Sequence, residues 1–169
     1  MRTSKTASIL LTSLVCLALT ACGFTPMYGS GSAARNLSDI IVETGGERID
    51  FYLQEALLDE MDARHADGPY RLVTETESGR MALGIGADAI AQRFAVGVRV
   101  DYRLYLGQST EPLLEGRVAT EASYNVARQV FSSVQAQEDA EIRAAQLAAE
   151  RIAMELARAS LTGELAARQ

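Results

Sequence analysis

Hydrophobic and polar side chains alternate along residues 93–106, which read RFAVGVRVDYRLYL. Every second residue from Phe94 to Leu106 is apolar, and most of the residues between them are polar or small. A period of two predicts a β-strand with one buried face, because successive side chains of a strand point to opposite faces. A one-residue slip would expose the whole apolar set, so we expect a well-defined register.

Three shorter segments also have strand patterns, bounded by turn-forming residues. They are residues 36–42, 70–77 and 114–124. The last segment follows 93–106 after a hairpin-length turn at 107–112, so we expect these two strands to pair antiparallel. Residues 79–92 are less regular, and Gly84 and Gly86 within them predict a bulge or a bend.

Two segments have helical patterns. Residues 47–64 place apolar side chains three and four positions apart, which predicts an amphipathic helix. Thr44 is the predicted cap of this helix, with Glu47 as its capping-box partner. Residues 135–159 are rich in Ala and Glu and contain neither Gly nor Pro, which favours a helix that ends near Thr162-Gly163. Its predicted buried stripe comprises Ile142, Ala145, Ala149, Ile152 and Leu156.

The element order β-α-β-β-β-α predicts an α+β fold in which two helices pack on one face of a four-stranded, mixed and mostly antiparallel sheet. This arrangement buries both helical stripes and the alternating strand face together. The other sheet face should be charged but balanced, as a half-exposed antiparallel sheet requires in any case. It would display Arg71, Arg93, Arg99, Arg103 and Arg117, together with Glu75, Asp101, Glu115 and Glu121.

The N-terminus has the pattern of a lipoprotein leader. Arg2 and Lys5 precede an apolar run at residues 7–21, which is short for a membrane-spanning helix. The run ends in Leu19-Thr20-Ala21-Cys22, which is similar to a bacterial lipobox. We therefore predict a signal peptide at 1–21, a lipidated tether at 22–35 and one domain at 36–169. Cys22 would carry S-diacylglycerol and N-palmitoyl groups, and two or more chains anchor a protein stably. An ordinary secretory signal with an accidental cysteine is the alternative.

Composition and motifs argue against several functions. The 169-residue chain has a formal net charge of −6 and a pI near 4.9, which disfavours nucleic-acid binding. His65 is the sole histidine, and a solvated helix end is its simplest role. With Cys22 acylated, no thiol remains for catalysis or metal binding, and no catalytic motif is present. We expect no metal and no cofactor, and a binding or scaffolding role, with a lipid-anchored enzyme using paired carboxylates as the alternative.

Four segments carry a family resemblance: ACGFTPMYG at residues 21–29, LGIGADAIAQRF at 83–94, SYN at 123–125 and VFSSVQAQEDAEIRAAQLAAERIAMEL at 130–156. In these segments the chain resembles the LptE family of lipopolysaccharide-assembly lipoproteins, in its alphaproteobacterial form. Ala91-Gln92 departs from the family pattern, where Thr or Ser is expected before Arg93, and this leaves the start of the long strand open.

The resemblance implies an outer-membrane lipoprotein on the periplasmic side that plugs the LptD β-barrel and aids insertion of lipopolysaccharide into the outer leaflet. An accessory lipoprotein of another envelope-assembly machine is the alternative. Because lipopolysaccharide is anionic, an acidic protein should meet it through a local basic patch. The candidate contacts are Arg71, Arg80, Arg93, Arg99, Arg103 and Arg117.

Overall fold

The computed structural model describes residues 37–63, 68–85, 91–126 and 130–162. Within them the elements follow the predicted order β-α-β-β-β-α. They are β1 (Ile40–Glu43), α1 (Arg48–Glu60), β2 (Tyr70–Ile85), β3 (Ala91–Leu106), β4 (Leu114–Asn125) and α2 (Val130–Thr162). The signal peptide, Cys22, the tether, His65, Gly86 and the predicted helix stop at Gly163 lie outside the described residues.

The four strands form one mixed sheet in the order β1-β2-β3-β4. β1 runs parallel to β2 and pairs only with its first residues, from Tyr70 to Val73. The β2–β3 and β3–β4 pairs are antiparallel. The predicted α+β fold is therefore confirmed, with the long alternating strand in the interior of the sheet.

The predicted buried face of β3 is the centre of the core. Val98, Val100, Tyr102 and Leu104 are at most 2% exposed, and both helices contribute to the apolar cluster around them. Burial of a large apolar side chain stabilises a fold by roughly 1.5–3 kcal/mol. A strict alternation along this strand therefore fixes which sheet face the helices cover.

Helix α1 begins differently from the prediction. Its N-cap is Glu47 rather than Thr44, and the Glu47 N–H donates to Asp50 Oδ2 at 2.9 Å. A Cβ at Gly45 would lie 2.3 Å from that same oxygen, so glycine lets the chain approach the carboxylate. The capping box is thus shifted by one turn from the predicted pair. The helix ends at Glu60, before Asp62 adopts a left-handed φ of 48°.

Helix α2 is longer than predicted, at 33 residues. The predicted stripe is buried apart from Ile142, which is half-buried, and further alanines widen it. These additional buried positions are Ala140, Ala144, Ala148, Ala153, Ala157 and Ala159. Small side chains allow α2 to lie close to β3 and β4. Besides apolar packing, two side-chain hydrogen bonds among the described residues join α1 to α2: Arg48 donates to Glu141 at 2.5 Å and the Tyr52 hydroxyl donates to Glu138 at 2.9 Å.

Strand lengths also depart from the prediction. β1 starts at Ile40, and Leu37 and Ser38 before it are helical rather than extended. β2 and β3 continue through the segment predicted as irregular, because each supplies backbone partners for the other up to Ile85 and Ala91. The register shifts on both sides of Gly84, which confirms the predicted bulge at this glycine.

Candidate functional site

Five of the six candidate arginines lie on the sheet face that the helices leave uncovered, called the open face below. The odd-numbered residues of β2, β3 and β4 share this face because the registers join odd positions to odd positions. Arg71, Arg93, Arg99, Arg103 and Arg117 all belong to this set. The structure therefore brings together the group of arginines that the sequence predicted for this face.

Four of these arginines are already paired with carboxylates. Arg71 contacts Glu43 at 3.3 Å, Arg99 contacts Glu77 at 2.8 Å, Arg103 contacts Glu75 at 3.2 Å and Arg117 contacts Asp101 at 2.6 Å. Exposed pairs of this kind contribute little to stability, typically about 0–1 kcal/mol each. Their main effect is that positive and negative side chains are interspersed over the open face.

The Arg117–Asp101 pair has two hydrogen bonds. Arg117 Nε donates to Asp101 Oδ1 at 2.6 Å and Nη2 donates to Oδ2 at 3.1 Å. These bonds hold the pKa of Asp101 below its ordinary value, and they raise the pKa of Arg117. The carboxylate therefore keeps its charge to lower pH than a free aspartate does.

Arg93 differs from the other arginines of the open face. Its Nη2 donates to the Ser123 hydroxyl at 3.0 Å, whereas the others hold carboxylates. Of the described open-face arginines, it is the one whose hydrogen-bond partner is uncharged. It lies near the Asn125 end of the sheet, opposite the end where β1 starts. Among the contacts of the described residues, Arg93 is therefore the open-face arginine whose positive charge is least compensated, and an anion reaching this face would be attracted to it.

Arg80 lies on the other face of the sheet. It is an even-numbered residue of β2 opposite Val96, which belongs to the buried face of β3. Its guanidinium carbon lies 5.0 Å from the centroid of the Phe94 ring, and its Nη1 donates to Gln137 Oε1 at 3.4 Å. Arg80 is therefore separated by the sheet from the other five candidates.

Sequence reasoning missed two carboxylates and two arginines of this region. Glu43 and Glu77 pair with Arg71 and Arg99, although the predicted acidic set did not include them. Arg143 and Arg151 of α2 donate to backbone carbonyls of β4. Cross-strand register and helix placement decide these contacts, and neither can be read from residue spacing within one element.

An open cleft of about 630 Å³ lies between the two helices. Its lining includes Glu55 and Asp59, which are one turn apart on α1, and Gln146 of α2. The two carboxylates come from the same helix and do not converge from opposite walls, as an acid–base pair around a substrate would. Within the described residues, no group of three or more potential metal ligands occurs. None of the described helices is both long enough and apolar enough to cross a membrane.

Comparison with known proteins identifies the family. A model of the LptE lipopolysaccharide-assembly family matches residues 36–156. A lipoprotein of Caulobacter crescentus CB15 is 30% identical, with a TM-score of 0.69 over 79% of this chain and 98% of that one. No curated protein sequence shows significant similarity to the chain.

Two more distant structures share the fold. The rare lipoprotein B of Shewanella oneidensis has a TM-score of 0.57 at 14% identity, covering 74% of this chain and 98% of its own. A minor lipoprotein of Acinetobacter baumannii has a TM-score of 0.57 at 13% identity, covering 70% and 90% respectively. The family match spans most of the domain described above, and the chain therefore belongs to the LptE family of lipopolysaccharide-assembly lipoproteins.

Proposed function

We propose that this protein is an outer-membrane lipoprotein, anchored through acylated Cys22, that occupies the lumen of the LptD β-barrel. In that position it supports assembly of the barrel and insertion of lipopolysaccharide into the outer leaflet. The family match over residues 36–156 is the observation that carries the proposal. It supports lipopolysaccharide assembly as the process in which the protein acts, and a lipoprotein without enzymatic activity as its part in that process.

The open face supports a position inside a barrel. The lumen of a transmembrane β-barrel is polar, unlike its lipid-facing surface. A face on which Arg99, Arg103 and Arg117 are each paired with a carboxylate is hydrated and nearly balanced in charge. Such a face can lie against a polar wall without burying an unpaired charge. The sheet and two packed helices also give the rigid body that a plug requires.

We expect LptD to co-purify with the protein from detergent extracts of its native envelope. The full chain with a C-terminal affinity tag would be captured, and bound barrels identified by mass spectrometry after crosslinking. A Cys22→Ala variant is the matched control, because loss of the acyl chains should release the protein from the membrane fraction and lower LptD recovery. Recovery of a different barrel would favour the other envelope-assembly machine, and recovery of no barrel would contradict the plug.

We further propose that the open-face arginines contact lipopolysaccharide, with Arg93 at the end near Asn125 and Arg99 in the middle of β3 as the principal contacts. Arg93 is held by a neutral hydroxyl, and Arg99 is half exposed even while it pairs with Glu77. Phosphate groups are strong ligands for guanidinium groups, which can bind them through two parallel hydrogen bonds. Arg80 would act separately, since it lies on the opposite face.

The double substitution Arg93→Glu and Arg99→Glu is expected to weaken binding of purified lipopolysaccharide by at least about tenfold, since each charge-assisted hydrogen bond contributes about 1.5–3 kcal/mol. Binding would be measured by fluorescence anisotropy with labelled lipopolysaccharide. The double Arg→Lys variant keeps both charges and should retain most of the affinity. Unchanged affinity in the Glu variant would exclude these contacts while leaving the LptD interaction untouched.

A further inference from the structure

The two edges of the sheet differ in whether their outward-facing backbone groups have hydrogen-bond partners. On β4, side chains of α2 donate to two of the outward carbonyls: Arg151 donates to Ala119 O at 2.5 Å and Arg143 donates to Ser123 O at 3.2 Å. Unpaired backbone groups at a sheet edge recruit other strands, and native proteins commonly block them. The β4 edge is blocked at these two positions.

The edge of β2 is not blocked in the same way. β1 covers only the first residues of β2, up to Val73, and no other described strand lies on that side of it. Residues 74–82 therefore form a free edge, with regular pairing to β3 on one side only. The side chains from Ser78 to Leu83 are all exposed, and the edge contains no proline.

The backbone groups that face outward on this edge follow from the ladder. Gly107 N–H donates to Pro69 O at 2.7 Å, so the backbone of Pro69 faces β3. In an antiparallel pair, consecutive residues alternate between facing the partner and facing away. Odd-numbered residues of β2 therefore face β3, and even-numbered residues face outward. The outward set is Thr74, Thr76, Ser78, Arg80 and Ala82. Thr74 is buried and its hydroxyl donates to Glu43 O of β1, so the available positions begin at Thr76.

The side chains along the free edge change character from one end to the other. On the open face, Glu75 and Glu77 have side chains that are 68% and 75% exposed. Further along, Gly79 has no neighbour within 4 Å of the position of a Cβ, and Met81 is 51% exposed. An incoming strand would meet two exposed carboxylates, which also pair with Arg103 and Arg99 of β3, then bare backbone, then an apolar side chain. This order of side chains determines which residues a complementary strand would carry.

We propose that the free edge of β2 binds an extended segment of a partner protein as a fifth, antiparallel strand. Its side chains on the open face would be basic opposite Glu75 and Glu77 and apolar opposite Met81. Main-chain hydrogen bonds would supply the affinity and the alternate side chains the specificity, as in other cases of strand addition. Antiparallel pairing is the more stable arrangement for each residue.

A second copy of this chain fits the free edge poorly. In a two-fold antiparallel pair, each open-face residue lies opposite another open-face residue of the same edge. Registers that use most of the edge place Glu75 or Glu77 opposite another glutamate or opposite Met81. Like charges directly opposite each other destabilise a sheet. A partner with a different sequence avoids both mismatches.

The test uses a synthetic peptide, TIETTKTKT, written to pair antiparallel with residues 82 down to 74. Its isoleucine would lie opposite Met81, its glutamate opposite Arg80, and its lysines opposite Glu77 and Glu75. Binding to the full chain in detergent micelles would be measured by fluorescence anisotropy. A control peptide with both lysines replaced by glutamate keeps the strand propensity and should bind at least about tenfold more weakly.

Ser78→Pro tests the main-chain contact directly. Proline removes the outward N–H of this residue, and an edge strand tolerates proline where the N–H faces solvent. We expect Ser78→Pro to weaken peptide binding about tenfold, because a peptide carbonyl loses its donor. Ser78→Ala, which alters the side chain alone, should bind like the unaltered chain.

Hydrogen exchange measured by NMR shows both which amides the peptide protects and whether the domain remains folded. Bound peptide should slow exchange at Thr76, Ser78 and Arg80, while the amides facing β3 keep the protection they already have. Absence of peptide binding, equal binding by Ser78→Pro and the unaltered chain, or homodimers joined through this edge would each overturn the proposal. Glu77 and Glu75 of the edge pair with Arg99 and Arg103 of the open face, so the variant that separates peptide binding from lipopolysaccharide binding is Ser78→Pro, which changes none of these four side chains.

Discussion

Replacing Gly68 with alanine is expected to lower the free energy of unfolding by about 3 kcal/mol, the upper part of the usual range for overpacking. A Cβ at this position would lie 1.7 Å from the backbone oxygen of Asp39 and 2.4 Å from its carbonyl carbon. Backbone atoms cannot move aside by changing rotamer. The substitution must therefore displace either the start of β1 or the chain that leads into β2. Denaturant unfolding followed by circular dichroism measures the loss.

Gly79→Ala is the matched control for Gly68→Ala. A Cβ at Gly79 would meet nothing within 4 Å, and its φ lies outside the left-handed region. We expect its stability to change by no more than about 1 kcal/mol, in the stabilising direction if the unfolded chain loses freedom. Equal losses in the two variants would show that the cost at Gly68 is a general effect of removing glycine rather than this close approach.

Gly116→Ala is expected to destabilise the domain by about 2 kcal/mol or more, for a different reason. Gly116 lies opposite Tyr102 in the β3–β4 pair, and a Cβ there would be 2.4–2.8 Å from three atoms of the tyrosine side chain. Tyr102 is 2% exposed, and its hydroxyl donates to Glu155 of α2. Burial and this hydrogen bond raise the pKa of Tyr102, so the neutral donor persists at all physiological pH values. The ring is held from both sides and has little freedom to move.

A double-mutant cycle isolates this contact. Tyr102→Leu alone should destabilise the domain, because it shrinks a core side chain and leaves Glu155 without its donor. In the Tyr102→Leu background, however, Gly116→Ala should cost at least about 1 kcal/mol less than in the native background, since residues in contact couple. Strictly additive losses would exclude overlap with the Tyr102 ring as the reason for glycine at position 116.

The fold was predictable where one pattern extended over many residues. The alternation of β3 identified which of its residues, odd or even, lie on the buried face, and the composition of α2 identified a long helix. Element ends were less predictable. Residues 79–85 carry two glycines and little alternation, yet they are extended because β3 supplies a backbone partner. Thr44 has the residue type of a helix cap, but the tight approach at Gly45 gives that role to Glu47.

The candidate site was predictable only in outline. Odd and even positions correctly placed Arg93, Arg99 and Arg103 on one face. The same parity could have placed Arg80 on the other face, but the segment around it was not recognised as part of β2. The partners of the arginines depend on which residues the register aligns across strands, as with Glu77 and Arg99. The unpaired edge of β2 depends on how short β1 is, which the sequence did not indicate.

The shortness of β1 has a mechanical consequence. The described domain begins at Leu37, just before this strand, so tension from an anchor at Cys22 would enter the domain through β1. Four residue pairs with β2 resist that load, reinforced by hydrogen bonds from Gln54 to Val42 O and from Thr74 to Glu43 O. The interior strands and α2 bear none of it directly. Under force, β1 would therefore separate from β2 first, while the rest of the sheet remained folded.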